Sequence, residues 1–113
     1  MLKGRNCSPS PQEAPLFRHV VLITLNPEAS DAQRQALLDG LSGLPAAIPE
    51  IRRYVYGVDA GLAEGNATVA VVADFDDVDG YRVYATHPAH VRVITELIRP
   101  IMVGRAAVQH QVS

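Results

Sequence analysis

The stretch ATVAVVADF, residues 67–75, decides the fold. A strand points successive side chains to opposite faces of its sheet, and here both sets are apolar: Val69, Val71 and Ala73 on one side, Ala70 and Val72 on the other. A strand without a polar face needs cover on both sides. The sheet containing it therefore has neither face open to water.

Working outward, FRHVVLITLN (17–26) is a second β-rich run, stopped by NPEAS. Phe17, His19, Val21, Ile23 and Leu25 share one of its faces, and Arg18, Val20, Leu22 and Thr24 the other. Ser30 or Asp31 can cap a helix whose Leu37, Leu38, Leu41 and Leu44 recur at helical spacing. Gly43 and Pro45 in GLPAAIP should end it. IRRYVYGVDAGL (51–62) predicts another strand, with a bulge or bend at Gly57, and AEGN turns the chain into 67–75. A short helix over DVDGYRVYATH, a longer one over PAHVRVITELIRPIM and a last strand over GRAAVQHQV complete the chain.

Strand, helix, strand, strand, helix pair, strand is the split βαβ plan: an α+β, ferredoxin-like, four-stranded antiparallel sheet with helices on one face. A chain of 113 residues holds one core. Nothing in it is left to cover Val20, Leu22 and the second apolar face of 67–75, so a symmetric dimer with sheets packed face to face is expected. Residues 1–15, rich in Ser, Pro, Gln and Gly, read as a flexible tail before a domain over 16–113.

Composition narrows the function classes. With 48% apolar and 19% charged residues the chain should fold, and a net charge of -2 supplies no basic footprint for nucleic acid. The longest apolar runs fall far short of the roughly 20 residues that span a bilayer. MLKGRNCSPSPQEAP lacks the apolar run of a secretory signal. Cys7, the single cysteine, permits no intrachain disulfide, which favours an intracellular, cytoplasmic setting.

YATHPAHVRV (84–93) holds two of the four histidines. His87 precedes Pro88, a residue suited to the first helical turn, and so has a plain role in helix entry. At helical spacing Val91, Ile94, Ile98 and Ile101 form a core stripe and His90, Ile94, Leu97 and Ile101 its flank. His90 then faces the sheet, where His19 can meet it. Imidazoles with ordinary pKa values near 6.5 exchange protons at neutral pH. His90 is thus a candidate general base, with His19 or Tyr84 holding a substrate oxygen; the plain alternative is two packed core histidines.

Tyr54 and Tyr56, on one face with Val58, either line a pocket for an aromatic ligand or fill the core. His110 shares a face with Val108 and Val112 in the last strand, which in this plan lies beside the first, so that it could approach His19. Asp76, Asp77 and Asp79 complement a helix start. No H-E-x-x-H signal or second cysteine completes a metal site, and neither a phosphate loop nor a nucleophile elbow is present.

HVVLITL, IPEIRRYVYGVD, ADFDDVDGYRVYATHPAH and AVQHQV together resemble the stress-responsive dimeric A/B barrel (Dabb) family over residues 17–112. The most specific element is Y-x-x-H-P-x-H, here Tyr84, His87, Pro88 and His90. The resemblance implies a ferredoxin-like protomer that dimerises through its sheets into an α+β barrel. The family includes plant heat-stable stress proteins with no established reaction and plant polyketide cyclases that use intramolecular aldol chemistry. The cyclases' pocket histidines match His19 and His90, and a pocket tyrosine matches Tyr84; Val69 and Leu41 stand where they carry a further histidine and tyrosine. The resulting expectation is a homodimer that binds a small apolar or aromatic ligand and no nucleic acid or membrane. It would be a cofactor-free cyclase or lyase with catalytic His90 and His19, and with Tyr84, His87, Tyr54 and Tyr56 binding substrate. A non-catalytic stress or structural oligomer, or a haem or ligand carrier, are the alternatives.

Overall fold

The computed structural model describes residues 16–112; the tail expected over residues 1–15 lies outside them. The elements are β1 (Leu16–Leu25), α1 (Asp31–Ser42), α2 (Leu44–Ala47), β2 (Arg53–Val58), β3 (Val69–Phe75), α3 (Val78–Thr86), α4 (Pro88–Arg92), a π-helical segment (Val93–Ile98) and β4 (Met102–Val112). They form one antiparallel sheet in the order β2-β3-β1-β4 with the helices on one face. This is the ferredoxin-like plan expected from the order of the elements.

Strand register sets the core. His19 lies opposite Ala73 and Val21 opposite Val71, so the face carrying His19, Val21, Ile23, Val69, Val71 and Phe75 is buried beneath the helices. Leu37, Leu41, Leu44, Ile48, Tyr84, Val93, Ile98 and Ile101 close over it. Helix α1 begins at Ser30, whose hydroxyl accepts from the Gln33 amide (3.0 Å) while the Gln33 side chain accepts from the Ser30 amide (2.8 Å). That reciprocal pair satisfies two amides that the helix itself cannot.

Two expectations need correction. Gly57 makes no bulge: it pairs in register with Ala70, and the space its side chain would take is empty, as suits an edge strand. The irregularity instead falls between Thr24 and Leu25 where they meet β4. Second, Val91 is 41% exposed and Val93 takes its place in the core at 6%. A π turn accommodates one more residue than an α turn, and the Arg99 amide donates to the Ile94 carbonyl (2.9 Å), five residues back. The 3.6-residue stripe loses its phase there, so Val93 and Ile98 are buried together. Gly40 lets α1 approach this segment closely, because a Cβ there would collide with Leu97 and touch Val93.

The outer sheet face is apolar and uncovered within the protomer. Leu22, Val55 and Val108 are 42%, 48% and 54% exposed. At one end of this face Arg18 donates two hydrogen bonds to the Asp74 carboxylate (2.7 and 2.9 Å), across the β1–β3 register. Asp74 is buried, at 1% exposure. Among the described residues no helix is long and apolar enough to cross a membrane.

Candidate functional site

A cavity of about 340 Å³ opens between sheet and helices, with His19, Tyr84, His90 and Arg105 in its wall. β1 supplies His19 because its odd-numbered positions face the helices; α3 and α4 supply Tyr84 and His90. His19 and His90 therefore line the same cavity. The Tyr84 ring is near both, with its centroid 4.0 Å from His90 and 6.0 Å from His19.

Each imidazole is held by its Nδ1. The Gln109 side-chain amide donates to His19 Nδ1 (2.8 Å), which places the neutral ring's proton on Nε2. His90 Nδ1 donates to the Ala85 carbonyl through a longer bond of 3.3 Å, which leaves Nε2 with a free lone pair. Burial, followed by the nearby Arg105 and then His90, lowers His19 to about 4. Burial also lowers His90, against the Ala85 carbonyl and with help from Arg105 and His87. Both rings are therefore neutral at pH 7. Tyr84 is pushed up to about 12, chiefly by burial. Burial likewise raises Tyr54, whose hydroxyl lies buried near that of Tyr84 but out of hydrogen-bond geometry.

The depressed His19 value links protonation to stability. The unfolded chain takes up the proton first, so the contribution is complete above pH 6.5 and is lost as pH falls toward 4. Allowing for water in an open cavity, the protein should lose about 1–2 kcal/mol from this group between pH 7 and 5. Urea unfolding at both pH values should give a flatter dependence for His19→Phe.

The other expected residues are not part of the cavity wall. His87 caps α4, its Nδ1 accepting from the Ala89 amide (3.1 Å). Tyr56 lines a broad depression of about 650 Å³ with Leu22, Val55 and Val58, away from the histidine cavity. Tyr54 packs near Tyr56, with ring centroids 6.0 Å apart. His110 does not approach His19: it pairs with Arg18, and Gln109 stands opposite His19. Asp77 caps α3 and Asp76 pairs with Arg52. No cluster of three or more His, Cys, Asp or Glu suited to a metal occurs among the described residues.

Sequence reasoning missed Gln109 and Arg105. Strand alternation puts both on one face of β4, but only the pairing of His19 with Gln109 and of Ile23 with Arg105 shows that this face looks toward the helices.

Among solved structures, a dimeric ferredoxin-like protein of unknown function from Thermobifida fusca YX is 43% identical, with a TM-score of 0.78 over 85% of this chain and 90% of that one. A dimeric protein of unknown function from Bacteroides fragilis NCTC 9343 is 26% identical, with a TM-score of 0.72 over 84% and 94%. The hydroxynitrile lyase of Passiflora edulis shares the fold at 18% identity, with a TM-score of 0.77 over 87% and 94%. No curated protein matches. A family model, described as the stress responsive A/B barrel domain, matches residues 17–112, which is the whole sheet-and-helix unit from β1 to the end of β4. The chain belongs to the stress responsive A/B barrel domain family.

Proposed function

We propose that the protein is a homodimer joined through its outer sheet face, and that each protomer is a cofactor-free enzyme of the cyclase or lyase type acting on a small carbonyl compound. One observation carries the catalytic reading: two neutral imidazoles share a cavity in opposite tautomers. His90 Nε2 takes a proton from an acidic C–H or O–H, and the His19 Nε2–H donates to the oxygen on which charge develops. With its pKa near 12, the Tyr84 hydroxyl stays protonated and is a second donor. A histidine lowered to about 4 carries almost no imidazolium at neutral pH, which fits His19 to the role of neutral donor. The dimeric reading rests on the exposed Leu22, Val55 and Val108 and on dimeric relatives.

The Tyr84 stack and the Ala85 bond fit a purely structural His90 equally well, so the test must read proton transfer. Deuterium uptake at the acidic C–H of small β-diketones, followed by NMR, should be catalysed by the native protein. His90→Gln should slow it on the order of 100-fold or more without unfolding the chain. If the protein catalyses no uptake and His90→Gln only lowers the melting temperature, the enzyme reading fails.

A further inference from the structure

Two permanent cations, Arg99 and Arg105, line the cavity, and no acidic side chain does. This polarity runs against the whole chain, whose net charge is -2. Outside the cavity five of the six other described arginines have partners: Arg18 pairs with Asp74, Arg52 with Asp76, Arg82 with Asp79 and Arg92 with Glu96, while Arg34 donates to the Ala29 and Asn26 carbonyls; the sixth, Arg53, is exposed on the edge strand β2. Arg105 forms no ion pair or side-chain hydrogen bond among the described residues. Its register opposite Ile23 turns it toward the helices, and its charge acts on His19, Tyr84 and His90 alike.

We infer that Arg105 is a specificity-determining residue that binds the carboxylate of an anionic substrate, and that the cavity selects small carboxylates with an apolar or aromatic body. The inference rests on the reading of this cavity as a ligand site. A guanidinium presents paired N–H donors that match a carboxylate's two oxygens. Val21, Val71 and Ile98 supply apolar wall for the rest of such a molecule, and the volume suits a small one. The bound anion also offsets the positive field that acts against protonation of both imidazoles. Binding a carboxylate should therefore make His90 a better proton acceptor, and the coupling is reciprocal.

The test compares benzoate with benzamide, which has nearly the same shape without the charge, by NMR titration of the histidine ring signals. Benzoate should shift the His19 and His90 signals and bind at least about tenfold tighter than benzamide, the scale of one charge-assisted contact. Arg105→Gln should remove the preference and Arg105→Lys keep part of it. Equal binding of the two compounds, or an undiminished preference in Arg105→Gln, overturns the carboxylate assignment while leaving the cavity a ligand site. Absence of any shift at His19 and His90 with either compound overturns both. Tight benzoate binding without β-diketone exchange leaves the anion site standing and removes only the proton-transfer reading.

Discussion

Arg18→Met should destabilise the protein by about 2–4 kcal/mol, measured by urea unfolding, because it leaves the Asp74 carboxylate buried without its partner. Asp74 is 1% exposed and takes two hydrogen bonds from Arg18. Taking one member of such a pair strands the other in a poorly solvating place, and that cost exceeds what the pair itself contributes. The expected magnitude sits below the largest known cases because the Arg18 side chain keeps 30% exposure. Combining Arg18→Met with Asp74→Leu should recover stability to within about 1 kcal/mol of the native protein, since two apolar groups of similar volume replace the two charges. Additive losses in the double variant would show that packing, and not charge pairing, dominates at this position.

Leu22→Glu combined with Val108→Glu should convert the proposed dimer into monomers, with the dissociation constant raised on the order of 1,000-fold or more. Both positions lie on the outer sheet face, about half exposed in the protomer at 42% and 54%. Two-fold symmetry doubles each substitution, so an interface formed here would bury four like-charged carboxylates. Each unpaired buried charge costs several kcal/mol, and about 1.4 kcal/mol already corresponds to tenfold in affinity. Sedimentation velocity at micromolar concentration should give a dimer for the native protein and a monomer for the variant. A native monomer would overturn the proposed dimer, and a variant that stays dimeric would place its interface elsewhere.

Local alternation and local spacing were enough to order the elements. Ser30 and the apolar faces of β1 and β3 follow from neighbours within a few positions, whereas His19, Tyr84 and His90 came together through the element order and the family resemblance. What the sequence concealed is non-local or out of phase. Arg18 and Asp74 are 56 positions apart, and Asp74 looks like an ordinary polar end to an apolar strand. On β4 the choice between His110 and Gln109 as partner to His19 depends on a one-residue register, which alternation alone leaves open. Val91 was assigned to the core by counting at 3.6 residues per turn through a segment that is not α-helical.

That segment also sets where the cavity's far wall stands. His90 and Ile98 both face the cavity, yet they are eight positions apart (98 − 90). In an unbroken α-helix, at about 100° per residue, that separation leaves them about 80° out of line. Absorbing one extra residue in the π turn makes the interval behave as seven, and the misalignment falls to about 20°. The insertion thus acts as a phase corrector: it lets a single helical run keep its imidazole and its aliphatic wall aimed at the same volume, and it makes the residue count between them, as much as their identity, part of the site.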